Sequence, residues 1–171
     1  MNENPIAQLI IRFQELVAQV PEFLQPVIIF LAGAVPFIEG EGASAIGIIG
    51  GLHPVLAALA GAAGNFVCVL IVVLVGARIR GAVVDRPGRE PRLDAKPKSK
   101  GRERFGRLVT RFGVPGASIL GPIALPTQFT AATFVASGVS VRWVLLWQAV
   151  AIVLWTALVT GIITGVIFFA T

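Results

Sequence analysis

Apolar and polar positions fall into three kinds of segment along the chain. From residue 5 to 20, Ile6, Leu9, Ile10, Phe13, Leu16, Val17 and Val20 recur at helical spacing, with Gln8, Arg12, Glu15 and Gln19 mostly opposite. Asn4 suits a cap, Pro5 a first helical position and Pro21 an end, so the spacing predicts an amphipathic helix of the kind that lies along a membrane surface. From Pro54 to Gly76, and again from Trp143 to Thr171, no charged residue interrupts the apolar run. Each run reaches the ~20 residues that cross a hydrocarbon core of about 30 Å, which predicts spanning helices over 54–80 and 141–170. The third kind is apolar but broken at its middle. In residues 22–52 the break is PFIEGEG, and in 113–139 it is GPIALPTQ. A straight span through 22–52 would hold Glu39 and Glu41 in lipid. A re-entrant hairpin with its turn near Pro36 to Glu41 avoids this, since about 13 helical residues each way reach ~20 Å, deep into the bilayer but not across it. Broken backbone at that depth is tolerated only where it faces protein or a water-filled cavity.

The segments come in the same order twice. The first repeat, 5–80, has an amphipathic helix, the hairpin 22–52 and the span 54–80. The second, 104–170, has an amphipathic stripe of Phe105, Leu108, Val109 and Phe112, the hairpin 113–139 and the span 141–170. A shift of 87 residues places Gly51 on Gly138 and Glu41 on Gln128. The expected fold is therefore an all-α integral membrane protein, a single domain built as an inverted repeat of surface helix, re-entrant broken hairpin and long transmembrane helix. Such repeats put binding sites near the midplane, at discontinuous helices, and both hairpin tips are expected there.

Composition narrows the class. The 171 residues are 56% hydrophobic and 13% charged, where a soluble domain is about a quarter charged. The net charge of +5 is unevenly spread. Twelve of the 14 Lys and Arg lie between Arg78 and Arg111 with four acids, so that stretch carries +8 and the remainder −3. A basic loop between two spans is the signature of the cytoplasmic side, which makes this a multi-pass protein of the plasma or inner membrane and argues against nucleic acid as a partner. Residues 81–103, with Pro87, Pro91 and Pro97, read as a basic, solvated linker. The single cysteine, Cys68, cannot close an intrachain disulfide, and His53 has no neighbouring ligand types, so no metal or cofactor is expected. The first residues do not read as a secretory signal.

Candidate chemistry concentrates at the breaks. An ionisable group inside a membrane usually faces a pathway or a partner, and no Lys or Arg within the first hairpin stands ready to pair with Glu39 and Glu41. Two poorly hydrated carboxylates can exchange protons near neutral pH or bind a cation. Glu41 is the first choice. Thr127 and Gln128 can line the same cavity, or else satisfy the backbone freed by Pro126. Asn65 can reach the tips from the long helix, or else bond structurally to another helix. Pro36, Pro122 and Pro126 set the hairpin breaks. Gly161 and Gly165 form a small-xxx-small spacing on the last helix. Two spans and two half-depth hairpins are little material to enclose a pathway, so a homodimer is expected. No nucleophile–base set and no phosphate loop appear, so the chain does not read as an enzyme.

Pro36, Glu39, Gly42 and Ala43, then Gly51, Leu52 and Pro54, the pair Gly64 and Asn65, and Leu125, Pro126 and Thr127 resemble the motifs of the small multidrug export family. That family is distantly related to the DedA and SNARE-associated membrane proteins. The resemblance covers roughly residues 30 to 165. One departure matters: the family's arginine position is Glu41 here, and its following proline is Ala45. The resemblance implies a multi-pass protein with paired re-entrant hairpins. The leading expectation is a small secondary transporter that exports cations or cationic amphiphiles in exchange for protons, with membrane lipids as its surroundings. A DedA-like translocase of lipid or lipid-carrier phosphate is the alternative the resemblance implies, against which stands the absence of a basic residue near the tips. A non-transporting scaffold or small subunit is the third.

Overall fold

The structure is a computed structural model that describes residues 5–84 and 112–170. Those residues are helical throughout apart from short turns, with no strand among them. The helices are α1 (Pro5–Gln19), α2 (Gln25–Gly33), α3 (Glu39–Ile49), α4 (Pro54–Val84), α5 (residues 112–120), α6 (Thr127–Ala136) and α7 (Val141–Ala170), with 3-10 turns at Glu22–Leu24 and Gly121–Ile123. Two of them, α4 and α7, are long and apolar enough to cross a membrane. The linker beyond Val84 and the second amphipathic stripe up to Arg111 lie outside the described residues.

The chain forms two compact units, the first of residues 1–68 and 149–171, the second of residues 69–148. In the first, α1, α2 and α3 pack on one another. Their core is Val17, Ile29, Ala32, Ile38, Ala43, Ile46 and Ile48, joined by Leu52 and Ala57, with Ile163 of α7 packed against it. The α1 stripe thus meets protein, not only a surface: Val17 is fully buried, and Leu9, Ile10 and Phe13 are partly so. Leu16, expected on the same face, is 47% exposed with Ile11 at 51%, because a stripe narrowed to one contact line leaves its edge residues outside. The Gln25 side-chain amide donates to the Val17 carbonyl at 3.2 Å and closes the gap after α1.

What brings α2 and α3 close to α4 is the absence of side chains. A Cβ on Gly33 would fall on the carbonyl of Gly61, and one on Gly64 would fall on the carbonyl of Phe30. A Cβ on Gly61 would stand 2.7 Å from the carbonyl oxygen of Gly40, and one on Gly47 would stand 2.8 Å from Ala57 Cβ. Backbones in such contact gain dispersion energy along their length, which matters most where burial from water is not the driving force.

Helix ends follow their local chemistry. Helix α3 stops at Gly51, whose φ is +93°: its N–H donates to Ile48 O at 3.0 Å and the Leu52 N–H to Gly47 O at 2.9 Å. Helix α6 stops the same way at Gly138, φ +90°, with the Gly138 N–H on Val135 O at 3.0 Å and the Val139 N–H on Phe134 O at 3.1 Å. Both are Schellman endings, which place a left-handed residue, usually glycine, just past the last turn. Helix α4 runs to Val84, four residues past the expected end at Arg80. Charge at Arg78 and Arg80 ends the apolar stretch, but Gly81 to Val84 contain no residue that stops helical hydrogen bonding.

Gly64→Ala puts a methyl on fixed backbone and should destabilise the fold by about 1–3 kcal/mol. Gly76→Ala, whose Cβ would meet only Val135 at 3.6 Å, should be neutral or gain up to about 1 kcal/mol of helix propensity. Thermal unfolding of the two variants in detergent, followed by far-UV circular dichroism, checks the contrast.

Candidate functional site

The polar residues of the first unit gather where α3 begins. Helix α2 ends at Gly33, the chain turns through residues 34–38, and α3 opens at Glu39. The turn is tight. The Val35 carbonyl accepts from the N–H groups of Ile38 (3.2 Å) and Glu39 (3.1 Å), and the Ile38 carbonyl from Gly42 (2.9 Å). Pro36 lies inside the turn and supplies no N–H to it. Two residues here adopt the left-handed region without being glycine: Phe37 with φ 73° and Glu39 with φ 55°. Positions of this kind cost of order 1–3 kcal/mol each and persist only where the surroundings over-determine them.

Glu39 is 4% exposed and Glu41 is half-buried. Both stand in the first turn of α3, where the helix dipole favours negative charge. The Ser44 hydroxyl, fully buried, donates to the Glu41 backbone carbonyl at 2.8 Å. Between the two acids, Gly40 lies against α4 and α7: a Cβ there would collide with Thr156 Oγ1 and stand 3.2 Å from Ala62 Cα. Asn65 of α4, in the same unit, is fully buried. The basic side chains among the described residues are Arg12, Arg78, Arg80 and Arg142, and all four are exposed. No group of three or more His, Cys, Asp or Glu with the geometry to hold a metal ion occurs among the described residues.

The second unit has a neutral counterpart. Pro126, with φ −54° and ψ 146°, precedes the first turn of α6, and Pro122 sits in the 3-10 turn before it. Thr127 and Gln128 are buried at 2% and 5% exposure, and the Thr127 hydroxyl donates to Gln128 Oε1 at 3.4 Å. The Thr130 hydroxyl donates back to the Pro126 carbonyl at 3.2 Å. Glu39, Glu41 and Asn65 thus belong to the first unit, and Thr127 and Gln128 to the second.

The chain matches no protein-family model, no curated protein and no solved structure. The chemistry of the α2–α3 turn therefore rests on its residues alone.

Several buried polar groups escaped sequence reasoning. Gln148 is fully buried in α7, with its Nε2 donating to Ser118 Oγ at 3.5 Å and its Oε1 without a partner among the described residues. The hydroxyls of Thr156, Thr160 and Thr164 are buried and likewise without a partner there. The signal was available, since 156, 160 and 164 recur every fourth residue and share a face of α7, and Gln148 is a lone amide in an apolar run.

The left-handed backbone gives a direct test. Phe37 is 63% exposed, so its side chain contributes little packing. Phe37→Gly should fold at least as well as the native chain, whereas Phe37→Val, branched at Cβ, should lose about 1–2 kcal/mol. Thermal midpoints of the two variants, measured side by side, check it.

Proposed function

We propose that this protein is a small multi-pass membrane transporter that exchanges protons for cations or cationic amphiphilic compounds through the carboxylates of Glu39 and Glu41. The observation that carries the reading is Glu39. It is an acid held almost completely out of solvent at the head of a helix, beside a second acid, on backbone that only dense packing can hold. An ionisable group so placed is a site for a proton or a cation.

The membrane reading is supported by the surfaces of the two long helices. Only 28% of the apolar window of α4 and 17% of that of α7 is buried. A core helix of a soluble protein is mostly covered, whereas these present Leu59, Ile71, Ile79, Val153, Ile162 and Val166 outward at 56–64% exposure. With the basic stretch from Arg78 on the cytoplasmic side, the α2–α3 hairpin opens outside and the α5–α6 hairpin inside.

The inverted-repeat reading is supported by element boundaries. Shifting by 87 residues carries the end of α2 (Gly33) onto residue 120, where α5 ends, and the start of α4 (Pro54) onto Val141, where α7 starts. The same shift carries Gly51 and both of its Schellman hydrogen bonds onto Gly138 and its pair. Unit composition follows suit: each unit joins one hairpin to the first part of its own long helix and the last part of the other. A second copy of the chain is the proposed occupant of the open face of α7 at Gly161 and Gly165, where nothing lies within 4 Å of an added Cβ.

Purified protein in liposomes is expected to carry protons when an organic cation gradient is applied, and Glu41→Gln to abolish that flux. No flux with any organic cation would sink the antiporter and leave a DedA-like lipid translocase as the reading to test, by headgroup flipping in the same vesicles. For topology, single cysteines at Phe37 and Leu125 in a Cys68→Ala background should react with a membrane-impermeant reagent from opposite sides only. Labelling of both from one side would overturn the opposed hairpins.

A further inference from the structure

A second polar feature lies in the second unit. A cavity of about 320 Å³ opens among the last turns of α4, the end of α6 and the start of α7, lined by Ala77, Arg80, Val135, Gly138 and Ser140. Its volume is at the lower end of the range for small-molecule pockets, about 300–1,000 Å³.

Among the described residues, the charged group in its lining is the Arg80 guanidinium, which lies beside Gly138. Where a Cβ would stand on that residue, Arg80 Nη2 lies 2.6 Å away, Cζ 3.0 Å and Nη1 3.1 Å. Gly138 is a left-handed residue, and with no side chain there the guanidinium lies against its backbone at the cavity wall. Ser140, exposed at the start of α7, also lines the cavity. Past it, α7 begins, with the Trp143 and Val144 amides donating to the Ser140 carbonyl at 3.1 Å each. Among the described residues, the lining contains no acid.

The surroundings indicate what reaches it. Arg142 and Trp143 follow Ser140 and are exposed, with Trp143 edge-on to Trp147 at 5.8 Å. Tryptophan and arginine at the end of a spanning helix mark headgroup depth. The stretch from Arg78 to Arg111 carries +8, which concentrates anions at this end of α4.

We propose that this cavity binds a phosphate group, with the Arg80 guanidinium as its fork and the Ser140 hydroxyl beside it, and that an anionic lipid headgroup is the form in which phosphate arrives there. Guanidinium matches phosphate in a two-pronged geometry that an ammonium lacks. The inference rests on the membrane reading but not on transport. It involves no proton flux, so failure of the antiporter assay leaves it standing.

The test is lipid retention by the full-length protein in native mass spectrometry, with phosphatidylglycerol and phosphatidylcholine offered together and inorganic phosphate as competitor. The native chain is expected to retain phosphatidylglycerol preferentially. Arg80→Gln should lower that preference about tenfold and Arg80→Lys, which keeps the charge but not the fork, about threefold. Arg78→Gln, outside the cavity lining, should leave it unchanged. Displacement of the lipid by inorganic phosphate would identify the phosphate group alone as the ligand; resistance to it would identify the lipid as the source, and both uphold the site. Equal losses from Arg78→Gln and Arg80→Gln, or no preference in the native chain, would overturn it, since a diffuse basic surface then accounts for all binding.

Discussion

Contact between bare backbones is the constraint on which the first unit depends. Gly33 against Gly61, Gly64 against Phe30 and Gly61 against Gly40 leave no space for a methyl group. On the membrane reading, an apolar helix gains little by exchanging lipid contacts for side-chain contacts, so close approach and the dispersion it brings hold the hairpin. Everything at the head of α3 follows from that approach. Once α2 and α3 are clamped to α4, the five residues joining them must reverse the chain in a fixed gap. The turn then takes the left-handed conformations at Phe37 and Glu39 that a free chain would avoid.

Strain and burial coincide at one residue. Glu39 carries both an unfavourable φ and almost complete removal from solvent. Each lowers stability, and neither is needed to close a turn: a glycine at 39 would relieve the first and an alanine the second. The inference runs from this outlier to function. The Glu39 carboxylate stands at a helix start whose dipole offsets part of its charge. The Ser44 hydroxyl holds the Glu41 carbonyl within the first turn of α3, and Thr156 lies against Gly40 between the two acids.

Much of this was legible in the sequence, for reasons tied to particular residues. The uncharged runs after Pro54 and Trp143 gave the two long helices, because length and apolarity are the signal for a span. Pro36 and the paired glutamates marked the first break, since neither suits the middle of an apolar helix. Legibility ended where the deciding fact was three-dimensional. The composition of the turn does not reveal that Phe37 and Glu39 take positive φ, because an isolated segment would relax. Leu16 counts as apolar-face in any helical projection, yet it stands beside the contact line and not on it. The end of α4 was misplaced because Arg78 and Arg80 signal the end of apolar surface, and helical hydrogen bonding continues past that. Gln148 and the threonines at 156, 160 and 164 were passed over because a run free of charge was read as uniformly apolar.

On the repeat reading, two hairpins of one layout do unlike work, and the difference lies in how each second helix begins. Helix α6 follows Pro126, whose extended backbone leads directly into a helical turn, and its first polar residues, Thr127 and Gln128, are neutral and bonded to each other. The Thr130 hydroxyl takes up the Pro126 carbonyl, so this hairpin satisfies itself. Helix α3 has no proline at the matching place. Its entry runs through left-handed Phe37 and Glu39; by the shift that relates the repeats, Glu39 stands where α6 has Pro126, and Glu41 where it has the Gln128 amide. A duplicated frame needs only one charged tip to bind a cation, and a second would add like-charge repulsion inside a medium that screens it poorly. On the proposed exchange, this asymmetry is what a single site would require of a symmetric scaffold: one neutral hairpin and one carrying the carboxylates.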